Sequence, residues 1–262
     1  MIVLYTFIFF ILGTIFGSFA NVVILRYHTG RSFMTGRSHC FSCGKTLEWY
    51  ELIPLFSYLF LGGKCLSCGS KISAQYPIVE GITGILFAAV FLQLGFSAVL
   101  PLFLATVFLL VVITVYDLQH MIIPDSMVYL FDAIAFVILW MRFGSTLLSA
   151  GGYDLLAGPI LFAFFAFFWL VSKGQWMGLG DAKLALGVGW LLGLSGGIFA
   201  IMISFWIGAT WSLLVLAFQR LHLAGSKLSM KSEIPFAPFI ILATAIQFFT
   251  LWNMSSIIHL LG

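Results

Sequence analysis

The chain has 262 residues, 62% of them hydrophobic and only 8% charged, with a net charge of +3 and a mean hydropathy of +1.13. Soluble domains carry roughly 25% charged residues, so an aqueous globule is excluded and lipid is the main solvent. No nucleic-acid partner is expected.

Hydrocarbon offers a bare backbone no hydrogen bonds, so crossing segments must be helices or a closed barrel, and apolar runs of about 20 residues select helices. Such runs fall at 2–25, 77–98, 100–118, 126–142, 154–172, 183–194, 196–218 and 237–260. The expected fold is therefore all-α, a polytopic bundle of about eight helices. The first run has no basic segment before it and no A-x-A site, which reads as a retained helix rather than a cleaved signal. The sixth is short and rich in glycine, and its separation from the seventh is placed at Ser195-Gly196-Gly197.

Basic residues near span ends stay on the cytoplasmic side. With eight spans, Arg26, Arg31, Arg37, Lys45, Lys64, Lys71, Lys173, Lys183, Arg220, Lys227 and Lys231 share one side, and Arg142 alone lies on the other. This bias puts residues 26–76, 119–125, 173–182 and 219–236 in the cytoplasm and both termini outside.

The polar segment 26–76 carries all four cysteines, as Cys40-Phe-Ser-Cys43 and Cys65-Leu-Ser-Cys68. Two C-x-x-C pairs separated by 44–64 fit a zinc-ribbon spacing, in which four thiolates close a tetrahedron around the ion. Gly44 and Gly69 follow the second cysteines, where a turn would aim N–H groups at sulfur. A reducing cytoplasm argues against disulfides, and four sulfur ligands leave no open position for water, so the metal is structural rather than catalytic. A thiol redox pair and unliganded cysteines are the alternatives. The expected organisation is a first transmembrane helix (1–25), a cytoplasmic four-cysteine zinc-binding region (26–76) and a transmembrane domain (77–262).

Of the nine acidic residues, Glu48, Glu51, Glu233 and Asp154 fall in loops or at a span end, where solvation explains them. Glu80, Asp117, Asp125, Asp132 and Asp181 lie in or beside spans, where a charge is costly and functional by default. Asp117 ends the third span as it reaches the cytoplasmic face, and Asp181 precedes the sixth as it leaves that face. Two carboxylates at one membrane level can hold one proton between them, as an aspartic peptidase requires. The competing reading is structural: Asp181 as a helix cap and Asp117 as a snorkelling helix end. Asp125 follows Pro124 and reads first as a cap for the fourth helix, with Ser126 as its competitor. Asp132 lies about 10 Å deeper on the same face, an acid without an assigned role. Gly178 and Gly180 precede Asp181, where a missing Cβ would admit an extended substrate backbone; ordinary turn chemistry is the alternative.

The ordered set Gly17-Ser18-Phe-Ala-Asn21-Val22, the cysteine pairs, Glu51-Leu-Ile-Pro54, Tyr76-Pro-Ile-Val-Glu80-Gly81, Asp117-Leu-Gln-His-Met-Ile-Ile-Pro124-Asp125, Gly178-Leu-Gly180-Asp181-Ala-Lys183-Leu184 and Ile234-Pro-Phe-Ala-Pro-Phe239 closely resembles the bifunctional type IV prepilin peptidases. Gly-x-Gly-Asp is also similar to the presenilin-like proteases, a broader likeness. The resemblance implies that Asp117 and Asp181 are the catalytic pair, with Gly178, Gly180, Lys183, Pro124 and Asp125 in support, within a peptidase domain spanning 77–262. It implies cleavage of prepilins and pseudopilins after a glycine at the cytoplasmic face of the inner membrane, then methylation of the new N-terminus with S-adenosylmethionine by the N-terminal region. No glycine-rich nucleotide motif occurs, so the S-adenosylmethionine site is unassigned, as is the oligomeric state. A proton-coupled transporter and a secretion scaffold are the readings from other classes.

Overall fold

The structure, a computed structural model, describes residues 1–29, 32–144, 152–221 and 235–261, without the side chains of 152, 216, 218–221 and 251–261. Arg31, Lys227, Lys231, Glu233 and Ile234 lie outside the described residues. The helices are α1 (Ile2–Arg26), α2 (Phe56–Phe60), α3 (Gln75–Leu94), α4 (Leu100–His120), α5 (Asp125–Phe143), α6 (Gly152–Ser172), α7 (Leu179–Leu221) and α8 (Ala237–Leu261), with a short 3₁₀ turn at Trp49–Glu51. Six helices are long and apolar enough to cross a membrane, and 237–250 adds a shorter apolar one. The chain is a multi-pass, all-α membrane protein. It divides into two compact units, 1–112 and 113–262.

In the first unit α1 packs along α3. Gly13 and Gly17 on α1 face Gly84 and Glu80 on α3, and a Cβ added to either glycine would stand 2.7 Å from the opposing Cα. Small residues four apart let two backbones meet closely where apolar burial alone gives helices no reason to associate in lipid. Towards one end of the hairpin Tyr5, Phe9, Phe91 and Phe96 form an aromatic cluster, with Phe9 stacked on Phe91 at 4.3 Å.

In the second unit α7 is central, packed on α5, α6 and α8. It is two segments joined at Gly193, whose φ of 74° and ψ of 179° break the helix. A Cβ on Gly197 would lie 3.4 Å from Gly189 Cα, whereas eight residues of straight helix would separate them by about 12 Å. The chain therefore reverses at Gly193, two residues before the boundary expected from sequence. The two segments correspond to the sixth and seventh apolar runs.

A reversal between two helical segments frees backbone groups at both helix ends, and such groups need partners. The N–H of Leu194 donates to Asp154 Oδ1 at 3.0 Å, and Arg142 Nη1 donates to the Leu191 carbonyl at 3.4 Å. Asp154 is a cap here rather than the solvated acid its span-end position suggested. In α6, Pro159 removes the N–H that would bond Leu155, and the Trp190 indole N–H donates to the Leu155 carbonyl at 3.0 Å instead. Replacing Asp154 by alanine is expected to cost about 1–2 kcal/mol through the lost cap, and by asparagine less, because an amide oxygen still accepts. Thermal unfolding in detergent orders the three proteins; an alanine variant as stable as the parent would remove this role.

Candidate functional site: an aspartate pair and a thiol cluster

Asp117 lies in the last turn of α4 and Asp181 in the first turn of α7's first segment. Both are buried, at 4% and 7% exposure, and they lie within electrostatic reach of each other. Each is held by a backbone N–H at a helix start: Gly178 donates to Asp181, and Ala237, the first residue of α8, to Asp117. Asp181 is thus the third residue of its helix reaching back to the residue before the first, a capping arrangement. Its structural and chemical readings occupy the same carboxylate. Asp117 is different, because its Oδ2 is buried without a hydrogen-bond partner among the described residues. Buried oxygens of that kind are rare and call for an explanation such as catalysis or bound water.

The loop between α4 and α5 helps bring the pair together. Met121 adopts a left-handed φ of 54° and Pro124 is extended, which turns the chain sharply after α4. Ile123 then packs on Gly180, where an added Cβ would lie 3.0 Å from Ile123 Cβ. Gly180 is therefore small in order to receive Ile123. Gly178 is the glycine with room beside it, its nearest neighbour being Asp181 Oδ2 at 3.8 Å from an added Cβ.

Asp125 does not cap α5. Pro124 occupies the cap position with no side-chain hydrogen bond, and Asp125 instead pairs with Lys183 Nζ at 2.7 Å. Lys183 also lies 5.1 Å from the Tyr129 ring centroid. This ties the starts of α5 and α7 together. Deeper on the same face, Asp132 is 8% exposed, lies against Gly187, interacts electrostatically with Lys183 and has an unpartnered Oδ1.

The four cysteines meet in the first unit, their sulfurs all within 4.8 Å of one another. The two turns have one design. Gly44 N–H donates to the Cys40 carbonyl and Gly69 N–H to that of Cys65, each at 2.9 Å, with both glycines at φ near 70°. The Cys43 backbone N–H, then the Ser70 hydroxyl, pull the Cys40 thiol down to about 6, and the Ser70 hydroxyl lowers Cys68. Cys43, despite the Lys45 backbone N–H that favours its thiolate, is held up to about 11 by desolvation and its cysteine neighbours. Four sulfurs this crowded are ionised together only around a cation, and the donor set fits a tetrahedral soft-metal site. Glu51 supports the region rather than being merely solvated. It is buried, accepts the Glu48 N–H at 2.9 Å and pairs with Lys45 at 3.1 Å, and these partners, the backbone N–H first, hold its carboxyl below the usual range.

Residues 11–94 match the bacterial peptidase A24 N-terminal domain, and residues 103–213 match the type IV leader peptidase family. A relative from Bacillus subtilis is 36% identical over 235 residues, covering 89% of both chains. The chain belongs to the type IV leader peptidase family. A Vibrio cholerae member is 30% identical, over 94% of this chain and 97% of its own, and a Myxococcus xanthus member is 47% identical over 45% of this chain and 35% of its own. All three are named prepilin leader peptidase/N-methyltransferase. No solved structure matches. Within this family the aspartates, the cysteine pairs and the Ile-Pro-Asp loop all fall inside the matched segments.

Proposed function

We propose that this chain is a membrane-embedded aspartic peptidase that removes the leader from prepilins and pseudopilins after a glycine, and an N-methyltransferase for the residue so exposed. Asp117 and Asp181 are its catalytic pair. The observation that carries this reading is the unpartnered, buried Oδ2 of Asp117 within electrostatic reach of a second buried aspartate. Two carboxylates close together in a dry site retain one proton between them. The ionised member takes a proton from water as the oxygen attacks the scissile carbonyl, and the protonated member donates to that carbonyl oxygen. Collapse of the tetrahedral adduct breaks the C–N bond as a proton passes to the leaving amine. Gly178 leaves space beside Asp181 for an extended backbone, and Lys183–Asp125 holds α5 against α7.

The cysteine cluster binds zinc as a structural ion, supported by its four-sulfur composition and compactness. The charge bias supports a cytoplasmic location for both the cluster and the aspartates, with both termini outside, in a bacterial inner membrane. S-adenosylmethionine, when bound, would supply an electrophilic methyl group on its sulfonium and leave as a neutral thioether, the amine's proton passing to water.

The test is incubation of the purified protein with a prepilin carrying a Gly-Phe junction, with the new N-terminus read by mass spectrometry. Cleavage there is expected, and addition of S-adenosylmethionine should raise the product mass by one methylene. An uncut substrate overturns the peptidase, and a cut but unmethylated one reduces the assignment to peptidase alone.

A further inference from the structure

The first unit holds an open cavity of about 780 Å³, between the ends of α1 and α3 and the cysteine-bearing segment. That volume lies in the range of about 300–1,000 Å³ that accommodates cofactor-sized molecules. Its lining combines aromatic, apolar and charged groups, including Tyr58, Tyr76, Leu61, Lys71, Glu51 and Glu80.

The charges on its wall are not equally free. Glu51 is neutralised by Lys45. Arg26 is committed to the carbonyls of Ser32, Thr35 and Arg37, at 2.9, 3.0 and 3.4 Å. Glu80 is only 7% exposed, and its hydrogen-bond partners are neutral. The Leu55 N–H donates to Oε2 at 2.8 Å and the Ser18 hydroxyl also bonds the carboxylate. Among the described residues it forms no ion pair. A buried carboxylate on a cavity wall without a cation is a place for a ligand that brings one.

We propose that this cavity is the S-adenosylmethionine site, with Glu80 facing the donor's positive charge at the sulfonium; the inference rests on the methyltransferase reading above. S-adenosylmethionine is a large amphipathic cation, and the cavity meets each of its parts. The tyrosine rings offer faces for the adenine. Asn21, buried, donates to the Gly17 and Tyr76 carbonyls at 3.3 Å each and accepts from Gln75 Nε2 at 3.4 Å, which fixes the wall between the ends of α1 and α3. Lys71 lines the cavity without an ion pair among the described residues, and suits the donor's carboxylate. Cys40 and Cys65 also line the cavity, so the metal that fixes the cysteine turns fixes part of its wall.

The discriminating ligand pair is S-adenosylmethionine and its neutral thioether product, S-adenosylhomocysteine, which differ at the sulfur in one methyl group and one positive charge. Equilibrium dialysis with the full chain in nanodiscs is expected to show Glu80→Gln weakening the sulfonium form about tenfold or more and the thioether far less, because only the former loses a charged partner. Ultraviolet cross-linking of radiolabelled S-adenosylmethionine to the unmodified protein gives a second readout that needs no variant, with label expected within 18–80, the segment that lines the cavity. Equal weakening of both ligands, or label confined to 113–262, overturns the site. If pre-cleaved pilin is still methylated under those outcomes, only the location falls. If the unmodified protein neither binds the donor nor methylates, the methyltransferase reading falls and the site with it.

Discussion

Replacing either Asp117 or Asp181 by asparagine is expected to lower prepilin cleavage by on the order of 10³-fold, about 4 kcal/mol of barrier. Asparagine preserves size and can still accept the Ala237 or Gly178 N–H, so the fold should persist; it cannot exchange a proton with water or substrate. Both variants should insert in the membrane and keep the cysteine cluster as able to bind metal as in the parent. Asp125→Asn is the contrasting substitution. The Asp125 side chain is 62% exposed, and a pair so open to solvent is worth at most about 1 kcal/mol, so cleavage should fall by less than about tenfold. Initial rates on a Gly-Phe prepilin in detergent compare the three. Wild-type cleavage by either the Asp117 or the Asp181 variant would end the aspartic mechanism. A loss in Asp125→Asn as deep as theirs would instead make the Lys183 pair part of the chemistry.

Changing Cys40 and Cys43 together to serine is expected to abolish metal binding and unfold the segment between α1 and α3, while cleavage falls much less. Structural zinc sites in small modules contribute about 10 kcal/mol or more of folding free energy, far beyond what the short α2 and the isolated bridges His39–Thr46 and Lys64–Lys71 supply. Methylation should be lost, because Cys40 and Cys65 line the proposed donor cavity. Metal content by atomic emission, limited proteolysis of 27–74 and the two activities measured separately make the comparison. A folded, metal-free variant that cannot cleave would contradict the division of labour.

The hydrophobic runs made the spans legible because length and apolarity suffice to specify a helix in lipid. Asp117 and Asp181 stood out in the sequence because a bilayer makes every acid near a span conspicuous, and the structure buries both. Long-range partnerships were not legible. Asp154 looked like an ordinary span-end acid, and nothing in its surroundings announces a backbone N–H 40 residues away at Leu194; the one signal was Gly193 inside an apolar run. Asp125 looked like a cap because proline precedes it, yet its carboxylate is drawn to Lys183, 58 residues on. Gly180 illustrates a third kind of ambiguity, since a glycine beside a buried acid can leave room for substrate or for a neighbour such as Ile123, and sequence gives both the same letter.

The glycine seam between α1 and α3 makes the cysteine-bearing segment an insert on a stem of fixed width. Its two attachment points are held one helix diameter apart whatever is threaded between them, and the entropy of closing such a loop rises only logarithmically with its length. This stretch can therefore lengthen, shrink or be exchanged during evolution with little effect on the supporting hairpin, which makes it the natural place for an accessory activity to be gained or discarded.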